Sequence, residues 1–369
     1  MKIPNPIFMK KLVLFTVMGL LAISCSKSDT PTSETAPVPT PEAMYFPPNN
    51  STTWETKSLA SLGWKETAVQ PLKDYLSQKN SKSFMILVNG RIVMEEYFNG
   101  HSPTTLWYWA SAGKTLTSTI TGIAQQEGLI NINNKVSQYI GTWTSETSAQ
   151  ENLITCKHLL TMSSGLDDSL GDDVSAANLK YVANAGSRWA YHNVYVKLQD
   201  VVASASGQTW SNYFNSRLRD KIGMGTDGFW YNNTDGTRVY WSTTRSMARF
   251  GLMALNKGKW NGQQIINEAY LTEATNTSQN INLAYGYLWW LNGKSSYHLP
   301  QSQLQLNGSI IPDGPTDMFM ALGKNDQKIY VIPSKNMVVI RMGDAADSVN
   351  MALSDFDNVL WQKINALYQ

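Results

Sequence analysis

Ser111-Ala112-Gly113-Lys114 sets a hydroxyl and an amine three residues apart at the head of a helical pattern running from Ser111 to about Gln126. Residues at that spacing share one helical face, so the Lys114 amine reaches the Ser111 hydroxyl. A serine hydroxyl is a poor nucleophile near neutral pH and needs a base. A neutral lysine can serve where partial burial and the positive end of a helix lower its pKa. The same first turn leaves the Ser111 N–H free for an oxyanion. The chemistry expected of the pair is acyl transfer, with Ser111 as nucleophile and Lys114 as its activating base. Ser-x-x-Lys alone is a weak pattern: a second copy, Ser24–Lys27, lies in the N-terminal segment, and the same residues also describe an N-cap followed by a solvated lysine.

A second group supports the first. Gly186-Ser187-Arg188-Trp189-Ala190-Tyr191-His192-Asn193 contains a Tyr-x-Asn. A phenol near a lysine can relay a proton to a leaving group. Asn193 can hydrogen-bond a substrate carbonyl or the lysine. Tyr-x-Asn also occurs at Tyr97–Asn99, Tyr213–Asn215 and Tyr231–Asn233. What separates the Tyr191 copy is the preceding Gly-x-x-Trp and its position 80 residues after Ser111.

These residues need elements to hold them. The pattern predicts a helix around Glu66–Gln78, then strands over Phe84–Val88 and Arg91–Tyr97 flanking Asn89-Gly90, a strong hairpin signal. From about Lys135 to Asn280 the chain reads as mostly helical, with loops at Ser163–Gly165, Gly171–Asp173 and Asn232–Gly236. Strands follow at Met318–Leu322, Lys328–Ile332 and Met337–Met342, and a final helix at about Asn350–Tyr368. The fold class expected is α+β: one antiparallel sheet built from both chain ends, flanked by helices, with an inserted helical lobe at about 135–280. A cleft where insert and sheet meet is the favoured place for a site.

With these motifs in place, the sequence resembles the serine β-lactamase-related hydrolases of the class C type, with the β-lactamase/transpeptidase-like fold. That group includes class C β-lactamases, penicillin-binding proteins, esterases and 6-aminohexanoate-dimer hydrolase. The likeness runs from about Ser58 to Tyr368. It is carried further by Lys157-His158-Leu159-Leu160-Thr161-Met162-Ser163-Ser164-Gly165-Leu166, by Gly122–Ala124 through Gly128–Ile130 to Asn134-Lys135-Val136, and by Leu218 to Gly225. The resemblance implies a third motif on the strand Phe319–Lys324, with Gly323 keeping the cleft open and the Lys324 N–H as second oxyanion donor. Ala321 stands where the family carries a basic residue that binds carboxylates, with Lys324, Lys328 or Arg341 as substitutes. The departure points away from a β-lactamase or carboxypeptidase and toward an esterase or amidase. The alternative is a penicillin-binding sensor or cell-wall-binding module that holds a ligand without turnover.

The rest of the chain sets the context. It has 369 residues, a net charge of +2 and 16% charged residues, which suggests neither nucleic acid nor an acidic partner. A small-molecule or peptide substrate is expected, without an obligate protein partner. Lys10 and Lys11 precede an apolar run, Leu12–Ile23, that ends at Cys25. Residues 1–25 read as a lipoprotein signal, with Cys25 lipidated, Met9 as an alternative start, and the protein anchored on the periplasmic or outer face of a membrane. Residues 26–48, rich in Ser, Thr and Pro, read as a flexible tether, leaving 49–369 as the hydrolase domain. Cys156 then has no partner and should be buried. Among the 13 Trp, the pairs Trp107–Trp109 and Trp289–Trp290 are candidates for lining a groove. His158 reads as a structural hydrogen-bonder, His192 as satisfied in the core or exposed, and Asp167-Asp168 and Asp172-Asp173 as a solvated loop. No metal or cofactor is expected, and no Gly-x-Ser-x-Gly elbow supports a Ser-His-Asp triad.

Overall fold

The computed structural model describes residues 42–49, 51–348 and 353–369. The signal, Cys25 and most of the tether lie outside these. A helix, α1 (Val69–Gln78), leads into strands β1 (Ser81–Val88) and β2 (Arg91–Tyr97). Asn89 and Gly90 join the strands with φ of 49° and 79°, the two left-handed residues that a tight hairpin needs. Two short runs follow: β3 (Trp107–Tyr108) and, after it, the turn that carries Ser111. Helix α2 (Lys114–Gln126) comes next, and then the inserted lobe. The lobe contains an antiparallel pair, β4 (Phe229–Asn232) and β5 (Arg238–Ser242), and β5 also pairs with β3. Helix α3 (Thr244–Leu255) returns the chain to the main sheet. That sheet is finished by β6 (Trp290–Leu291), β7 (Phe319–Gly323), β8 (Gln327–Ile332) and β9 (Met337–Gly343), before helix α4 (Asp355–Tyr368).

The six-stranded antiparallel sheet runs β2-β1-β9-β8-β7-β6. Both chain ends meet in it, with Val88 opposite Met337. β8 and β9 are buried along their whole lengths, because helices cover both faces. α3 packs on one face so closely that a Cβ on Gly251 would lie 2.7 Å from Val338. α1 and α4 pack together on the sheet, with the Tyr75 and Phe356 rings stacked at 5.7 Å.

Three sequence expectations shift. Helix α3, inside the stretch read as the insert, belongs to the sheet layer; its apolar stripe says that it is buried, not against what. The insert also holds the strands β4 and β5 in a stretch read as helix and loop. Residues 42–48, assigned to the tether, are tied to the domain: Tyr45 N–H bonds the Asn89 carbonyl, and Arg249 donates to the Pro47 and Pro48 carbonyls.

Candidate active site

Ser111 sits in a single 3-10 turn, Ala110–Gly113, and Lys114 opens α2 directly after it. A 3-10 turn eclipses residues three apart, so the two side chains stand one above the other. The Lys114 Nζ lies 2.8 Å from the Ser111 Oγ. The turn is clamped on both sides. The Trp109 N–H bonds the Tyr240 carbonyl, and the Trp109 indole N–H donates to the Ser242 hydroxyl at 2.8 Å. On the other side β7 approaches at Gly323. A Cβ there would collide with the Trp109 carbonyl oxygen and sit 3.0 Å from the Ala112 nitrogen. The glycine is therefore required by the close approach of β7 to the serine's own turn, more than by the open cleft. Ala110 enters the turn at φ 47°, a left-handed conformation that costs a non-glycine residue about 1–2 kcal/mol.

Lys114 is buried at 2% exposure. Burial pushes its ammonium down to about 7, against a smaller upward pull from the Asp172 carboxylate. The Tyr195 and Tyr191 rings flank the amine at 4.5 and 4.9 Å. Asn193 Oδ1 accepts from it at 3.2 Å. The Tyr191 phenol is pushed up to about 12 by burial, with Ser111 and Trp290 pulling the other way, and it keeps its proton at neutral pH. Its hydroxyl makes no hydrogen bond of good geometry, leaving a donor available in the cleft. Trp290, Trp189 and Tyr285 hold the ring at 5.6, 6.0 and 6.1 Å between centroids.

The cleft that these groups share has a volume of about 370 Å³, and Lys324 lines it with Ser111 and Lys114. The Beta-lactamase family model matches residues 74–359, which span all of these groups. The chain belongs to the Beta-lactamase family. It is 26% identical over 295 residues to an uncharacterized protein of Alkalihalophilus pseudofirmus, covering 70% of this chain and 82% of that one. It is 25% identical over 179 residues to PbpX of Bacillus subtilis, a protein described as penicillin-binding, and spans only 44% of either chain. In fold it matches a protein described as a 6-aminohexanoate-dimer hydrolase from Bacillus anthracis, with a TM-score of 0.67 at 18% identity over 89% of this chain and 92% of that one. Class C β-lactamases are among the other folds matched.

Within this Beta-lactamase family fold, the expected residues Ser111, Lys114, Tyr191, Asn193 and Lys324 all line one cleft. Of the three substitutes for the basic residue missing at Ala321, only Lys324 reaches it. Lys328 is fully buried and bonded to Asp326 and Asp357. Arg341 donates to the carbonyls of Lys79, Asn325, Asp326 and Asp344. The groove role suggested for Trp109, Trp289 and Trp290 does not hold, because all three are buried in the core. Trp107 is part-buried and donates to the Gly343 carbonyl. Cys156 is buried as expected, its thiol pushed up to about 12. His158 closes a capping box with Thr155. His192 is satisfied on both nitrogens: Nδ1 accepts from the Val194 N–H, and Nε2 bonds the Gly171 carbonyl.

The acidic loop is not simply solvated. Asp168 is buried and pairs with Arg188 at 2.7 Å. Asp172 turns into the cleft and accepts from Asn193 Nδ2 at 2.6 Å. Tyr195, Asn233, Asp235, Thr237 and Arg238 also line the cleft and were not picked out from the sequence. Tyr195 sits in the short 3-10 helix Asn193–Val196 that follows Tyr191, and nothing in the sequence marked it apart from that proximity.

Proposed function

We propose that this chain is a serine hydrolase that cleaves an ester or amide through an acyl-enzyme on Ser111. The observation that carries this reading is the buried Lys114 amine, 2.8 Å from the Ser111 hydroxyl, with burial holding its pKa near 7. At that value a large fraction is neutral at physiological pH and can take the serine proton. Ser111 Oγ bonds the substrate carbonyl carbon, and the oxyanion is held by the Ser111 and Lys324 N–H groups. The bond to the leaving group then breaks, and Tyr191 hands it a proton that Lys114 replaces. Water cleaves the acyl-enzyme by the same route in reverse. Ala321 favours an ester or amide without a carboxylate beside the scissile bond.

The test is intact mass after incubation with a fluorophosphonate, wild type beside Ser111→Ala. One adduct on wild type and none on the variant is the expected result. No adduct on either would remove the reading and favour a ligand-holding module, for which the missing base at Ala321 is the supporting feature. Turnover of simple aryl esters and anilides then separates a hydrolase from a protein that stops at the acyl stage.

We also propose that the protein is exported and anchored by lipid on Cys25, a reading supported by the sequence of residues 10–25. Cys25→Ser in the full chain should end fatty-acid labelling and move the protein to the soluble fraction.

A further inference from the structure

A neutral lysine is a base only if its one lone pair faces the proton that it must take. Among the described residues, the Lys114 amine has two hydrogen-bonding partners, Ser111 Oγ at 2.8 Å and Asn193 Oδ1 at 3.2 Å. While Asn193 presents its carbonyl oxygen, it accepts one amine N–H, and the lone pair is left for the serine. Were the amide reversed, its NH₂ would donate into that lone pair and quench the base. The orientation of the Asn193 amide therefore decides whether Lys114 can act, and an amide has no intrinsic preference between its two ends.

One neighbouring group removes the ambiguity. Asp172 Oδ1 lies 2.6 Å from the other end of the amide, Asn193 Nδ2. A carboxylate only accepts, so the NH₂ must face Asp172 and the oxygen must face Lys114. The loop is built to hold that carboxylate in place. His192 bonds the Gly171 carbonyl just before it. Asp173 just after it caps Ser175, Asn178 holds the Asp173 carbonyl, and Val174 N–H bonds the Asp235 carbonyl. Asp172 itself is solvent-exposed, so it contributes little to the core.

We propose that Asp172 is a positioning residue: through Asn193 it fixes the direction in which Lys114 presents its lone pair to Ser111. This rests on the serine-hydrolase reading of the same site. Two effects follow, and they oppose each other in a way that a packing role would not produce. Asp172→Asn lets the Asn193 amide turn over, which lowers the rate even where Lys114 is fully neutral. It also removes a negative charge that favours the ammonium form, which moves the titration of Lys114 to lower pH. The other groups facing the amine stay as they are: Tyr191 and Tyr195 by their rings and His192 by its charge when protonated. Asp235, Arg238 and Lys324 lie further round the cleft and are unchanged in the variant.

The experiment has two independent readings on the full-length chain. The first is the rate of fluorophosphonate labelling from pH 5 to 10 for wild type, Asp172→Asn and Asp172→Glu. Asp172→Asn should lower the high-pH plateau about tenfold, the margin of a charge-assisted over a neutral hydrogen bond, and move the acid limb to lower pH. Asp172→Glu, which restores the acceptor, should recover most of the plateau. An unmoved plateau, or an unmoved limb, overturns the proposal. The second is the NMR titration of the Lys114 ¹³Cε signal, which needs no reaction. Its midpoint should fall in Asp172→Asn, and an unchanged midpoint overturns the proposal even if the chain never labels. Failure of wild type to label, with the lysine midpoint shifting as expected, would instead count against the hydrolase reading.

Discussion

At the scale of residues, the decisive quantity is the protonation of Lys114. Labelling of Ser111 should follow the neutral fraction of that amine. It should be slow below about pH 7, rise through that value and then stay level, since Tyr191 holds its proton until about 12. A limb near pH 10, where an ordinary lysine titrates, would contradict the burial argument. The same shift is a stability statement. Because the folded lysine titrates near 7 and the unfolded one near 10.5, the unfolded chain binds the extra proton between those values. Stability therefore rises with pH across that window, and the cost of burying the amine is largest below it. Lys114→Met should abolish labelling yet raise Tm by several degrees at pH 6, with the gain fading toward pH 10.5; thermal melts across that range check it. The Ser111–Lys114 pair was legible in the sequence because three-residue spacing is a local fact. Asp172 was not, because Gly171-Asp172-Asp173 looks like any solvated turn. Its meeting with Asn193, 21 residues on, is made by the fold alone.

At the scale of elements, the site depends on how closely β7 lies against the serine's turn. Gly323→Ala puts a methyl against the Trp109 carbonyl, which is fixed backbone and cannot yield as a side chain would. The expected cost is about 1–3 kcal/mol of stability. Because the displaced parts carry Ser111 and Lys324, the labelling rate should fall by about 10²–10³, the effect of losing one oxyanion donor. A variant that melts lower but labels at the wild-type rate would show that the approach serves packing only. The long strands and the hairpin were readable, since alternation and Asn-Gly act locally. β6, only two residues long, gave no such signal, and the local one for β4 and β5, two aromatic-rich runs flanking Asp235-Gly236, lay in a stretch read as a loop inside a helical lobe. β4 and β5 pair locally across residues 233–237, whereas β6 is set by a partner distant in sequence, Met320 for Trp290, and so is the pairing of β5 with β3, Trp107 for Ser242. The reading of α3 as part of the lobe failed for the same reason: an apolar stripe fixes burial, and the sheet it covers is assembled from segments on either side of it in the chain.

At the scale of the whole molecule, the sheet that carries β7 holds the last strand, β9, near its centre, and α4 is tied to the same sheet. A buried ionic cluster makes the connection. Lys328 on β8 lies 2.8 Å from Asp357 on α4 and 3.2 Å from Asp326 in the turn after Lys324. The Tyr330 hydroxyl also donates to Asp357. Asp326 in turn accepts from the Ala346 N–H at 3.0 Å and the Ser354 hydroxyl at 2.8 Å. Such clusters are expensive to break from one side, because the remaining charge stays buried. Asp357→Ala should lower stability by about 3–5 kcal/mol in urea denaturation, and Asp357→Asn by less, since an amide oxygen still accepts from Tyr330 and Lys328. The buried apolar residues of sheet and lobe form one continuous cluster, which includes Trp109 beside the serine and Trp361 on α4. In Asp357→Ala, loss of Ser111 labelling and loss of tryptophan fluorescence should then fall at the same urea concentration, shifted together from wild type. Labelling lost well before the fluorescence would mean that the turn carrying Ser111 opens by itself, and that the end of the chain does not hold the site.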